Sequence, residues 1–228
     1  WFSFAGITLG VSTLIIVMSV MNGFRAELVN RILGLNGHLG ISSIHGNEIS
    51  DFDSLTAAVA ENPNILAAIP QIESQVLVST NNNTFGGIVR GVIWSDLAAR
   101  TPLWDSLSSD VITRFREKEV ILIGKTMARN LNLIEGDSLT LLSPKGKNTA
   151  FGTLPSRKVF KIGGIFDVGM HEYDSNFVFM PLASAQDFFA MPNKVSGVEL
   201  YIKTPSKARI IKEELSKNLA DDLAIFDW

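Results

Sequence analysis

Trp1-Phe2-Ser3-Phe4-Ala5-Gly6-Ile7-Thr8-Leu9-Gly10-Val11-Ser12-Thr13-Leu14-Ile15-Ile16-Val17-Met18-Ser19-Val20-Met21-Asn22-Gly23-Phe24 opens the chain without a single Asp, Glu, Lys, Arg or His. As a helix rising about 1.5 Å per residue it extends roughly 36 Å, enough to cross a hydrocarbon layer of about 30 Å. Gly, Ser and Thr are interspersed with the aliphatic residues, and small residues let membrane helices approach one another closely. Trp1, Phe2 and Phe4 suit one membrane interface. A secretory signal needs a basic leader and a small-residue cleavage site, and neither is present. A buried helix of a soluble protein would be unusually long and uniformly apolar. The expectation is a membrane helix. A chain that starts at Trp is further expected to be a piece of a longer one, its orienting basic flank lying upstream.

Beyond Phe24 the pattern changes. Arg25, Glu27 and Arg31 appear, while Leu28 and Ile32, four apart, keep one helical face apolar. The helix is expected to leave the membrane and stop near Gly34 or Gly37. The remainder reads as mixed α/β. Strands are expected at 38–44, 72–80, 85–93, 120–123, 138–143, 159–168, 176–180, 198–203 and 224–226. The second and third form a hairpin around Asn81-Asn82-Asn83. Helices are expected at 51–61, 125–131, 184–190 and 206–219. Elements alternate at both ends around a strand-rich middle, so the fold class is α+β: a membrane helix and its extension (1–37), an α/β subdomain (38–90 plus 195–228), and a strand-rich subdomain inserted in it (91–194).

Composition narrows the function. The 228 residues carry 46% hydrophobic and 19% charged side chains, a net charge of −3 and no cysteine. There is no basic surplus for nucleic acid, and thiolate metal sites, disulfides and cysteine nucleophiles are excluded. Ile123-Gly124-Lys125-Thr126 resembles a phosphate-binding loop only superficially. The loop requires a glycine where Glu119 stands, and Val120–Ile123 is itself a strand. It reads as a strand-to-helix turn. His171-Glu172-Tyr173-Asp174 lacks the spacing that sets two metal ligands on one helix face and reads as a solvated turn. No nucleophile elbow is present. No catalytic residue, metal site or cofactor is expected in this chain.

Several segments, in order, carry a resemblance. Ser19-Val20-Met21-Asn22-Gly23-Phe24 closes the apolar helix and leads into Arg25-Ala26-Glu27-Leu28 and Ile32-Leu33-Gly34. Arg90-Gly91-Val92 precedes Asp96-Leu97. Ile123-Gly124-Lys125 is followed by Ala128, Leu131-Asn132-Leu133 and Gly136-Asp137. Phe151-Gly152-Thr153-Leu154-Pro155-Ser156-Arg157 precedes a strand. Nearly the whole chain thus resembles the lipoprotein-releasing permeases of the LolC/LolE family, within the wider MacB/FtsX-like ABC permeases.

The resemblance implies a non-catalytic permease subunit in the bacterial inner membrane, with its main domain in the periplasm. It implies pairing with a second permease subunit, the same or a sister, and with a cytoplasmic ATPase that holds the ATP and Mg. Lipoproteins would be drawn from the outer leaflet past Ile16, Val20, Met21, Asn22, Gly23 and Phe24, and handed to a periplasmic lipoprotein chaperone. The chaperone would be met by a hook-like loop at 144–157, through Pro144, Lys145, Phe151, Gly152, Leu154, Pro155 and Arg157. Read from the residues alone, 144–155 is a polar loop bounded by Pro and Gly between two strands, and such loops serve as ordinary connections as well as functional ones. Two other readings stay open: a related permease for peptide or drug efflux or for transmitting ATPase motion, and a membrane-anchored interaction domain. Further membrane helices downstream would distinguish a permease from an anchor.

Overall fold

The computed structural model describes residues 1–46, 48–80, 83–117, 120–149, 152–217 and 219–227. The uncharged opening stretch forms helix α1 (Phe2–Leu35). Its portion Phe2–Arg25 is long and apolar enough to cross a membrane. Large side chains along it, including Leu14, Ile16, Val20 and Phe24, lie more than half exposed. The hydroxyls of Thr8 and Thr13 donate to the carbonyls of Phe4 (2.9 Å) and Leu9 (2.8 Å). A hydroxyl satisfied by its own helix presents no unpaired donor to lipid.

The chain then runs through β1 (Leu39–Ser43), α2 (Phe52–Ala60), β2 (Ile65–Ser79), β3 (Thr84–Val92), a 3₁₀ turn (Trp94–Ala99), α3 (Thr101–Asp105), α4 (Ser109–Glu117), β4 (Val120–Gly124) and α5 (Lys125–Leu131). It continues through β5 (Ser138–Thr149), β6 (Gly152–Phe166), α6 (His171–Asn176), β7 (Phe177–Pro181), α7 (Leu182–Phe188), β8 (Gly197–Ile202), a second 3₁₀ turn (Pro205–Lys207), α8 (Ala208–Ser216) and β9 (Leu223–Asp227). The α+β class and the β2–β3 hairpin are as expected from sequence.

All nine strands join one sheet in the order β3-β7-β4-β6-β5-β2-β8-β1-β9, with β3 also paired to β2. That extra pairing closes a circuit of six strands, β2-β3-β7-β4-β6-β5, which removes strand edges that would otherwise be open to solvent. β2 serves both halves of the sheet. Residues 65–71 pair with β8, residues 71–79 with β3, and Leu77–Ser79 also with β5. The subdomain boundary drawn from sequence at 90/91 therefore passes through β3.

Alternate residues of these strands feed two cores, as the pleat requires. Ile121, Ile123, Leu139, Leu141, Phe160, Ile162, Val178 and Met180 pack with α5 and α7. Val120, Leu122, Phe177 and Phe179 pack with Leu97, Leu103, Val111 and Phe115 on the other side. A third core joins β1, β8 and β9 to Val59 of α2 and Ile211 of α8. Strands buried on both faces lose polar alternation, which is why Val120–Ile123 is one apolar run.

Some local structure departs from expectation. Sequence gave no helix at α3, α4 or α6, and His171–Asp174 is helical with Tyr173 and Asp174 buried rather than a solvated turn. These helices are too short to hold themselves and are fixed by tertiary contact: the Asp174 carboxylate accepts from the Val168 amide at 3.0 Å. The Ile123-Gly124-Lys125-Thr126 stretch is a strand-to-helix turn. A side chain at Gly124 would come within 2.2 Å of the Asp174 carbonyl oxygen, so only glycine permits the approach. Lys125 donates to Asp167 at 2.6 Å, and this hydrogen bond holds the Asp167 carboxyl below its usual range. The Asn132 and Gly136-Asp137 positions are turn chemistry: Asn132 ends α5 at φ 52°, Gly136 takes φ 95°, and the Asp137 carboxylate accepts from the Ile134 amide at 2.9 Å.

Candidate functional site

The segment 144–157 is mostly paired strand rather than an open loop. β5 and β6 pair again beyond Ser143↔Ser156 in a shifted register, through Lys147↔Leu154 and Asn148↔Thr153, to Thr149↔Gly152. Between these two runs Pro144, Lys145 and Gly146 stand against Pro155 alone, so the ladder bulges. Proline has no amide hydrogen to give a ladder and is tolerated at such irregularities. The two prolines read as loop boundaries therefore mark a bulge, and the hairpin carries on beyond it. β2 pairs with β5 at Thr140–Leu142, and among the described residues the distal hairpin makes no ladder pairing with β2. Pro144, Pro155 and Arg157 are exposed at its base. The backbones of Lys145, Gly152 and Leu154 belong to the two strands; Phe151 lies outside the described residues, as do Glu119, Asn81 and Asn82. Next to Pro144 a mainly apolar cavity of about 420 Å³ opens against Val76, Leu77, Gly86, Gly87 and Ile88.

Ile16, Val20, Met21, Asn22, Gly23 and Phe24 are all exposed on α1. Ile16, Val20 and Phe24 are spaced by four and share one stripe, and a Cβ at Gly23 would meet nothing within 4 Å. This set sits on the helix and the other on the β5–β6 hairpin. The structure gives them different places in the fold.

Sequence reading missed what lies where α1 meets the sheet. The side chains of Arg90 on β3, Arg100 after the 3₁₀ turn and Glu199 on β8 are almost wholly buried. Arg90 Nε donates to Glu73 Oε2 at 2.9 Å, with Nη2 donating to the same oxygen. Its Nη1 donates to Asn36 Oδ1 at 3.0 Å and lies 3.8 Å from Glu199 Oε1. Arg100 Nη2 donates to Glu199 Oε2 at 2.7 Å and to Gln71 Oε1 at 2.8 Å. The Arg90 guanidinium lies 5.0 Å over the Phe177 ring, which stacks on Tyr173. Asn36 in turn donates to the Tyr173 hydroxyl. Burial disfavours the Arg90 charge, but Glu199 and Glu73 outweigh it and raise the pKa above the ordinary guanidinium value. Burial pushes the Tyr201 phenol up to about 12, and its hydroxyl donates to the Leu35 carbonyl at 3.4 Å. The available signal was a lone charge inside each apolar strand, Ile88-Val89-Arg90 and Val198-Glu199-Leu200; charged residues are seldom fully buried without a partner.

Among the described residues no three His, Cys, Asp or Glu gather as a metal site. What the geometry presents is a helix of membrane length, an α+β domain hydrogen-bonded to its end beside buried ion pairs, and a bulged β5–β6 hairpin. The chain belongs to the family of the MacB-like periplasmic core domain, whose model matches residues 1–217. It is 29% identical over 227 residues to the lipoprotein-releasing system transmembrane protein LolC of Xylella fastidiosa, covering 99% of this chain and 54% of that protein. It is 27% identical over 231 residues to LolE of the same system in Haemophilus influenzae, covering 100% of this chain and 55% of that protein. The resemblance to LolC/LolE is thus borne out, and the chain spans about half the length of these curated relatives. The periplasmic region of MacB from Actinobacillus actinomycetemcomitans aligns with a TM-score of 0.48 at 12% identity, over 88% of this chain and 94% of that one.

Proposed function

We propose that this chain is the first membrane helix and periplasmic domain of a permease subunit. Within an ATP-driven transporter, the subunit extracts lipoproteins from the outer leaflet of the bacterial inner membrane and passes them to a periplasmic chaperone. The observation that carries this reading is the combination of an uncharged, exposed stretch of α1 up to Phe24 with a hairpin that continues beyond its proline bulge without pairing to β2. The names of the relatives, which belong to a lipoprotein-releasing system, support it.

The physical task fits the parts. Each buried methylene of an acyl chain contributes about 0.8 kcal/mol to membrane attachment, so extraction requires an outside energy source and an apolar receiver. The chain supplies contact rather than chemistry. The stripe of Ile16, Val20 and Phe24, with Met21, Asn22 and Gly23 beside it, offers an apolar surface for the lipid anchor. The hairpin offers exposed Pro144, Pro155 and Arg157, with Lys145, Gly152 and Leu154 on its strands, for the chaperone, and the sequence resemblance adds Phe151 to that set. ATP and Mg belong to a separate cytoplasmic ATPase, and a second permease subunit completes the membrane part.

The test is retention of the periplasmic lipoprotein chaperone of the same organism by the detergent-solubilised protein. Deletion of Lys147–Thr153, and separately Phe151→Asp, is expected to abolish retention. Undiminished binding by both variants overturns the assignment of the hairpin.

A further inference from the structure

We infer that the Arg90–Glu73–Glu199–Arg100 cluster, buried except at Glu73, is a rigid joint that makes α1 and the sheet move as one body, with Arg90 as its positioning residue. The inference goes beyond the proposed transport role and holds whatever partner the hairpin takes.

The last carbonyls of a helix have no partner within it and carry a partial negative charge. At the end of α1 those groups are met from several elements at once. The Leu35 carbonyl lies 3.5 Å from Arg90 Nη1 on β3 and receives the Tyr201 hydroxyl from β8 at 3.4 Å. Asn36 bridges Arg90 on one side and Tyr173 of α6 on the other. The His38 amide donates to the Leu200 carbonyl at 2.8 Å, and the Ile202 amide donates to His38 Nδ1 at 3.2 Å. A side chain at Gly37 would come within 2.9 Å of the Leu200 amide nitrogen, so helix end and strand are in close contact. Leu35 itself is buried in the same core as Leu97 and Leu103.

The cluster is a poor device for stability alone. Among the described residues Arg100 Nε and Nη1 and Glu199 Oε1 are buried without a hydrogen-bond partner, and buried ion pairs often gain no more than an apolar core of the same volume. Their distinguishing property is direction. A guanidinium donates in a fixed planar fork, so its partners hold one angular setting, whereas apolar side chains tolerate rotation. Arg90 also stands directly opposite Glu73 on β2, and β2 runs on to pair with β5 at the root of the hairpin. A hydrogen-bonded path therefore leads from the end of α1 to the hairpin.

These 228 residues hold no cysteine, so with any cysteine elsewhere in the full-length protein replaced by serine, introduced labels test the joint directly in lipid vesicles. Spin labels at Val17→Cys on α1 and Val159→Cys on β6, both exposed, report the helix–sheet distance by pulsed electron paramagnetic resonance. Val17 lies about 27 Å along the helix from Leu35, so a swing of about 10° at the joint shifts it by about 5 Å. The unaltered protein is expected to give one narrow distribution, and Arg90→Met a distribution broader by that amount or more. Arg90→Lys is expected to fall between them. Arg100→Met, which strips the far side of the cluster without touching α1, is expected to lower stability yet keep the narrow distribution. If Arg90→Met does not fold, the paired Asn36→Ala and Tyr201→Phe change tests the same contacts. A narrow distribution in the Arg90→Met or paired variant, or equal broadening in Arg100→Met, overturns the joint.

Discussion

Replacing Glu199 with Leu removes the carboxylate that serves both buried arginines. Arg100, with a fully buried side chain, is left with the neutral Gln71 as its hydrogen-bond partner. Arg90 keeps Glu73, whose side chain is 36% exposed and so still solvated. Removing one partner of a buried ion pair costs about 3–5 kcal/mol, because the other charge remains buried without compensation. Set against a total stability of about 5–15 kcal/mol, that is a large share. For a chain of this size it corresponds to a fall in Tm of roughly 6–20 °C. The double variant Arg100→Met/Glu199→Leu removes both members of the fully buried pair, leaves Gln71 to find a new partner and Arg90 with Glu73 and Asn36, and is expected to regain most of the loss. Urea and thermal unfolding in detergent micelles, followed by tryptophan fluorescence from Trp94 and Trp104, measures each corner of the cycle. The reasoning is refuted by a loss below about 1 kcal/mol for Glu199→Leu. It is refuted equally by a double variant as unstable as the sum of its two single changes.

Three further outcomes are expected. Gly124→Ala drives a methyl group into the Asp174 backbone, whereas Gly86→Ala meets open space. The first should cost about 1–3 kcal/mol or more and the second nothing, as thermal unfolding will show. Burial lowers the His38 pKa, so the unfolded chain takes up that proton first. Stability is full above the unfolded pKa of about 6.5 and declines as pH falls through and below it; His38→Asn, measured by urea unfolding across pH 5–8, should flatten the decline, and an unchanged slope would dismiss it. Ile16→Arg places a charge in the middle of the membrane-length segment at about 2.5–3.5 kcal/mol. The unaltered chain should stay with vesicles through a carbonate wash and the variant should be partly released; release of the unaltered chain would rule out a spanning α1.

Much of the domain was legible because local rules decided it. Lys125–Leu131 could be bounded to the residue, with a glycine before it and Asn132 in the left-handed region after it. The β2–β3 hairpin announced itself through an asparagine cluster between apolar runs. The segment 144–155 was bounded by its prolines as a polar loop but misread in form, since a loop and a bulged hairpin share the same polar, Pro- and Gly-marked composition and the pairing of Lys147–Thr149 with Gly152–Leu154 separates them. Helix α6 escaped notice because six residues carry no helical signal of their own, and its Asp174 is held by an amide from outside the helix.

The opening residues by themselves determined that α1 seeks an apolar solvent: hydrophobic transfer is a property of side-chain area and asks nothing of the rest of the fold. Only the tertiary structure decided that Arg90, Glu199 and Arg100 share one buried site at the end of that helix, with the partly exposed Glu73 at its edge. Those residues lie far apart along the chain, and whether a charged side chain within a strand faces water or a partner depends on what the sheet brings opposite it.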